Sequence, residues 1–195
     1  VFKQSRIYLV SKMNEEQFTI EKSVIMKRNN SLVTLGGKPV TLLGKQVKVN
    51  MPAKNFTAVK SDMGVVQLSD FAGKVRIISS ATSIDTDVCA AQTRRFNLEA
   101  AKLDNVQVIA ISCDLPFALK RYCAAEGIDR ILTVSDHRDT DFGIKYGFLI
   151  EEFRLLARGI VVVDQTDTVK YVEIVKEVGD HPDYDKALAI ARSLL

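Results

Sequence analysis

Tryptophan is absent from the 195 residues, proline occurs four times and histidine only twice. The two histidines, His137 and His181, lie in unrelated segments, so a Cys/His metal centre or a Cys–His hydrolytic triad lacks raw material. Cysteine is almost as scarce. Cys89, Cys113 and Cys123 are too few, and odd in number, for the disulfide framework of a small secreted domain. None are in CxxC spacing, which excludes a zinc knuckle and a dithiol of the thioredoxin type. No window approaches the ~18 consecutive apolar residues of a membrane helix, and no GxGxxG or P-loop pattern is present to cradle phosphate. Charge of one sign is also missing from most of the chain. The net +3 resides in the first 30 residues, with six Lys/Arg against three Glu, and the rest balances at 21 basic and 21 acidic residues. Nothing in that balance would recruit nucleic acid.

What is present suits one domain with a full core, at 47% hydrophobic residues. Residues 1–25 stand apart. Charges at Lys3, Arg6, Lys12, Glu15 and Glu16 interrupt any signal-peptide core, and Met26 opens MKRNN like an ordinary translation start. The expectation is an N-terminal extension over 1–25 with no part in the chemistry, and a single domain over 26–195. From Leu32, LVTLGGKPVTLLG alternates around Gly36-Gly37 as a β-hairpin should. FTAV (56–59) and VVQL (65–68) read as short strands, followed by a turn, SDFAGK, capped by Ser69. VRIIS (75–79), VQVIAIS (106–112), ILTVS (131–135) and GIVVVD (159–164) are continuous apolar runs of the kind buried strands carry. Helices are expected over 87 to about 103, over 115–127 with Gly127 as the stop, over TDFGIKYG, and from Pro182, where Tyr184, Ala187, Leu188, Ala191 and Leu195 form an apolar stripe. TVKYVEIV (168–175) completes a terminal hairpin. Strands alternating with helices imply an α/β fold with a mixed central sheet.

One junction carries unusual chemistry. TSIDTDVC (82–89) follows a buried strand and opens a helix, with Asp85, Thr86 and Asp87 offering N-cap side chains. The first helical turn has free N–H groups and the positive end of the helix dipole, and both favour an anion. The nucleophilic form of cysteine is the thiolate, a minor species at neutral pH unless its surroundings stabilise it. Cys89 sits in that turn, and Thr86 places a hydroxyl near the same opening. Position alone leaves three readings open: a buried structural thiol, half of a disulfide, or a nucleophile.

The segment S-I-D-T-x-V-C followed by QTRRFN resembles the active-site loop of bacterial thiol peroxidases, the atypical two-cysteine peroxiredoxins. RYCAAEG around Cys123, ISCDLPFA before it, LLARGIVVVD around Arg158 and PDYDKALA near the end resemble further segments of that family in the same order, covering residues 32 to 195. The resemblance implies a thioredoxin-like fold with an added N-terminal β-hairpin, and the reduction of hydroperoxides. Carried over, Cys89 is the peroxidatic cysteine, Cys123 the resolving one, and Thr86 and Arg158 their polar partners. Attack on a peroxide would leave Cys89 as a sulfenic acid that condenses with Cys123 to a disulfide. The two cysteines are expected in separate helices, so one or both helix ends should unwind for the sulfurs to meet. Thioredoxin is the implied reductant, a homodimer the implied assembly and the cytoplasm the implied location, with no metal or other cofactor.

The chain departs from the family pattern P-x-x-x-T/S-x-x-C at its first position, where Thr82 replaces proline. Threonine adds a hydroxyl and an N–H to the thiolate pocket, and the expected result is lower peroxidase efficiency. Cys113 reads as a structural thiol, His137 and His181 as surface residues, and Arg94–Arg95 as solvated charges. Residues 146–157 read as a loop that shapes the substrate pocket. A peroxide-sensing thiol switch with little sustained turnover is the alternative function, because it uses the same first step.

Overall fold

The computed structural model describes residues 26–195, and the extension expected over 1–25 lies outside the described residues. The fold is organised around β5 (Val75–Ser80), in which every residue is buried. Successive side chains of a strand point to opposite faces, so Val75 and Ile77 enter one core layer and Ile78 enters the other. β6 (Val106–Ser112) and β7 (Leu132–Ser135) extend the sheet in parallel. β10 (Gly159–Val163) and β11 (Val169–Ile174) add on antiparallel beyond β5, as do β3 (Thr57–Lys60) and β4 (Val65–Gln67) beyond β7. The order is β11-β10-β5-β6-β7-β3-β4, a mixed sheet as the alternation of strands and helices implies.

Helices α1 (Asp87–Ala100) and α2 (Pro116–Glu126) make the crossovers between parallel strands, and the right-handed rule for such crossovers places both on one face. There Phe96 packs with Val108, Ile160 and the Ala187, Leu188 and Ala191 stripe of α4 (Tyr184–Ser193). Burying that stripe is what holds the terminal helix, since short helices gain most of their stability from tertiary contacts. The opposite face is covered by α3 (Asp141–Tyr146) and by a second sheet. That sheet contains the hairpin β1 (Arg28–Leu35) and β2 (Lys38–Leu43), joined by β8 (Leu149–Ile150) and β9 (Leu155–Leu156). Phe142 stacks on Tyr146 at 4.8 Å between centroids, and Phe56 meets Phe142 edge-on at 5.2 Å.

Several boundaries differ from the sequence reading. Residues 146–157 include β8 and β9, pairs too short to show any alternation. The turn after β4 is closed by Asp70, which accepts from the Gln67 N–H at 2.9 Å, while Ser69 makes no cap. Helix α1 stops at Ala100, and Leu103 reaches the core from the turn beyond it. Helix α4 begins at Tyr184 because Asp183 caps it, accepting from Lys186 N–H at 3.0 Å; Pro182 lies before it, and Leu195 is exposed past its end.

The N-terminal hairpin is bolted down at its tip. Gly36 and Gly37 both adopt positive φ, +58° and +76°, as a tight two-residue turn requires. Glu177 accepts from both of their N–H groups at 3.0 Å and from the Thr34 hydroxyl at 2.7 Å. The Thr34 hydroxyl first, and then the Gly37 amide, hold this carboxyl down at about 2. A carboxyl depressed on folding contributes stability above its unfolded value, and that contribution is lost as pH falls through the folded value. Glu177→Ala is therefore expected to lower the melting temperature at pH 7, and the gap from the parent should close as pH falls from about 4.5 towards 2. A gap independent of pH would refute the carboxylate's role.

Candidate active site

The end of β5 and the start of α1 bring the sequence-identified residues together. Thr86 is the N-cap of α1, with its hydroxyl accepting from Cys89 N–H at 3.4 Å and donating to Ser83 O at 3.2 Å. Cys89 is the third helical residue, within the first turn as expected. Its side chain is completely buried, although it sits at a helix end. Against it lies Arg158, which enters from the segment between β9 and β10 and is only 2% exposed.

A buried guanidinium is costly unless its donors are paired. Arg158 donates from Nη2 to Cys89 Sγ at 3.1 Å, from Nη1 to Gln92 Oε1 at 2.8 Å and from Nε to Val178 O at 2.8 Å. Gln92 is fully buried in turn, and its amide donates to Ser79 Oγ at 2.7 Å and to Ser80 O at 3.1 Å. Ser80 Oγ donates to Ala157 O at 2.8 Å, next to the arginine. The serine pair at the end of β5 thus anchors both sides of the Cys89–Arg158 contact. Gly159 lets β10 approach β11 at this point, since a Cβ there would collide with the Glu173 carbonyl. A cysteine sulfur faced by a permanent cation is equipped to carry negative charge.

Gln92 opens the QTRRFN segment, and sequence alone assigns it no role. Its signal was the spacing, because i and i+3 share a helix face. Tyr184 is a second omission. It packs edge-on against Phe96 at 5.8 Å and bonds His181 Nδ1 through its hydroxyl at 2.7 Å. Burial raises its phenol, with Arg158 opposing and the charge of Cys89 adding to the shift.

Cys123 is half-buried in α2, with Sγ 3.2 Å from Thr133 Oγ1, and all three cysteines are free thiols. The two cysteine-bearing helices are in contact. Tyr122 OH donates to Ala90 O at 3.2 Å and Arg94 pairs with Glu126 at 2.7 Å. A narrow cavity between them is lined by Ile84, Thr93, Leu119 and Thr133. Thr93 bonds the Cys89 carbonyl and Thr133 contacts Cys123, so this gap lies between the elements that carry the two thiols.

None of the remaining candidates hydrogen-bonds the Cys89 sulfur or the Arg158 guanidinium. Arg95 forms an ion pair with Asp185 at 3.0 Å, so both arginines of the pair are solvated charges. His181 is exposed, and His137 is half-buried, bonded through Nδ1 to Ser135 Oγ at 2.7 Å. Cys113 packs against the opposite core layer, and burial, followed by the charges of Asp136 and Asp114, pushes its thiol up to about 12. Thr82 is 6% exposed, and its hydroxyl has no hydrogen-bond partner among the described residues.

Three comparisons bear on this geometry. A family model described as Redoxin matches residues 48–188. The chain is 56% identical over 159 residues to the thiol peroxidase of Oceanobacillus iheyensis, covering 82% of this chain and 97% of that protein. It is 51% identical over 163 residues to the thiol peroxidase of Bacillus subtilis, covering 84% and 98% respectively. Among solved structures, a peroxiredoxin-like protein from Aquifex aeolicus superimposes with a TM-score of 0.80 at 34% identity, over 87% of this chain and 99% of that one. These likenesses identify the two-layered α/β core as a thioredoxin-like fold.

The orphaned Thr82 hydroxyl has an energetic consequence. An unpartnered buried hydroxyl costs about 1–3 kcal/mol, and Val preserves the shape of Thr without it. Thr82→Val is expected to raise stability by ~1 kcal/mol, measured as a higher urea midpoint at unchanged slope. An unchanged or lower midpoint would mean the hydroxyl finds a partner.

Proposed function

The chain belongs to the redoxin family, among the thiol peroxidases, and from that membership we propose that Cys89 is its peroxidatic cysteine and Cys123 its resolving cysteine. It is a peroxidase, an oxidoreductase acting on a hydroperoxide at the expense of a thiol reductant. The observation that carries the residue assignment is the 3.1 Å contact between the buried Arg158 guanidinium and Cys89 Sγ.

In the proposed reaction, the Cys89 thiolate attacks the terminal oxygen of the hydroperoxide. The O–O bond breaks and the departing oxygen takes a proton, leaving as water or an alcohol. Arg158 provides a fixed positive charge at the sulfur and, once a peroxide is seated, a donor for its oxygens. Thr86 and Gln92 act differently. The Thr86 hydroxyl is engaged in capping, so its part is to hold the first turn of α1, and Gln92 holds the guanidinium in its plane. Cys89, now a sulfenic acid, condenses with the Cys123 thiol: the S–O bond breaks, the S–S bond forms, and water leaves. Thioredoxin then returns both sulfurs to thiols by dithiol exchange. The contact between α1 and α2 supports this pairing, and local unwinding of a helix end brings the sulfurs within disulfide reach. A homodimer and hydrogen peroxide together with organic hydroperoxides as substrates complete the proposal.

Coupled turnover with thioredoxin, thioredoxin reductase and NADPH tests the assignment. The parent should consume peroxide continuously; stalling after one equivalent would favour a sensing switch instead. Cys89→Ser should abolish consumption, and retained activity would sink the mechanism. Cys123→Ser should still react once with peroxide but form no intramolecular disulfide.

Thr82→Pro provides a separate check. Restoring the ring at that position removes a polar hydroxyl from the loop and fixes its φ, so the second-order rate with peroxide should rise. No change, or a fall, would count against a role for Thr82 in the pocket.

A further inference from the structure

Asp114 lies one residue before the N-cap of α2, between the strand β6 and the helix that carries Cys123. Its carboxylate does not face solvent freely. Oδ1 accepts from the Ser83 hydroxyl at 2.7 Å, and Oδ2 accepts from Ile84 N–H at 2.8 Å and from the Ser112 hydroxyl at 2.7 Å. Two of these three donors belong to the loop that leads into α1. The Ser83 carbonyl in turn accepts from the Thr86 N–H and from the Thr86 hydroxyl, both at 3.2 Å, and that hydroxyl caps the Cys89 N–H. An unbroken path of hydrogen bonds thus runs from Asp114 through Ser83 and Thr86 to Cys89. Asp114 is itself fixed, because the Ser135 hydroxyl donates to its carbonyl and its N–H donates to Ser112 Oγ at 3.3 Å.

We propose that Asp114 is a positioning residue, a latch that fastens the Cys89 loop to the head of α2 and whose release lets the loop unwind towards Cys123. The inference rests on the cysteine assignments proposed above. While the latch is closed, Thr86 holds the first turn of α1 and Arg158 faces Cys89, which is the arrangement suited to attack on peroxide. The condensation that follows requires the opposite, since the Cys89 sulfenic acid must leave its buried place before Cys123 can displace its oxygen as water. The carboxylate therefore sets the partition of the sulfenic acid between two fates. One is the disulfide. The other is sulfinic acid, formed when a second hydroperoxide oxidises the sulfur that has stayed in the folded site.

The test is stopped-flow oxidation of the full chain by hydrogen peroxide, with mass spectrometry of the products, for the parent, Asp114→Asn and the milder Ser83→Ala. Each hydrogen bond lost weakens the closed state, so the disulfide-forming rate should rise about tenfold in Asp114→Asn and about threefold in Ser83→Ala. The peroxide needed to produce sulfinic acid should rise in the same order, while the rate of the first oxidation falls. A purely structural role would lower both rates together, and that result, or an unchanged partition in Ser83→Ala, would overturn the latch. If Asp114→Asn does not fold, Ser83→Ala decides the question alone. Failure of the underlying assignment looks different: the parent would then give no Cys89–Cys123 disulfide with one equivalent of peroxide.

Discussion

A guanidinium with almost no exposed surface is the constraint around which the site is arranged. Arg158 cannot be buried without partners, because a charge stripped of water and left partly unpaired costs several kcal/mol. Its bonds therefore join two distant parts of the chain: Cys89 and Gln92 on α1, and Val178 beyond β11. Gln92 passes the constraint on to Ser79 and Ser80, so the end of the central strand is tied to the same group. The sulfur is placed by this satisfaction of a cation more than by the helix that carries it. That explains why Cys89 is sealed away although it sits at a helix end.

The same arrangement sets rigidity against movement. The Arg158 side of Cys89 is built from buried, mutually satisfied groups at the end of β5. The Thr86 side is built from partly exposed loop hydrogen bonds, those of Thr86 itself being 3.2 to 3.4 Å, which weaken more readily. The proposed opening should therefore begin at the N-terminal end of α1, on the loop side. The ties between α1 and α2, at Ala90–Tyr122 and Arg94–Glu126, then keep the helices adjacent while the end frays.

Much of this was legible in the sequence, for physical reasons that differ between elements. The buried strands announced themselves as continuous apolar runs, and Gly36-Gly37 and Gly127 marked a turn and a helix stop through the positive φ they adopt. The loop and its cysteine were visible through capping residues, and the family resemblance added Arg158 and Cys123 from distant segments. Other features left no local trace. Strands β8 and β9 have two residues each and are defined by pairing, β8 with β2 and β9 with β8. Gln92 and Asp114 are ordinary polar residues until the tertiary fold supplies their partners. The Cys89–Arg158 contact left no local trace for the same reason, since its partners stand 69 positions apart.

The tip of the N-terminal hairpin and the arginine are held by neighbouring residues of one short segment. Glu177 grips the Gly36-Gly37 turn, and the carbonyl of Val178 takes the Nε–H of Arg158. Backbone bonds from Thr34 N–H to Lys176 O at 2.7 Å and from Val178 N–H to Thr34 O at 2.9 Å splice the hairpin onto this segment. The hairpin is thus a buttress of the proposed reactive centre rather than an ornament on the fold. Exchanging it between relatives would transplant a support of the arginine, and the dipeptide 177–178 would have to travel with it.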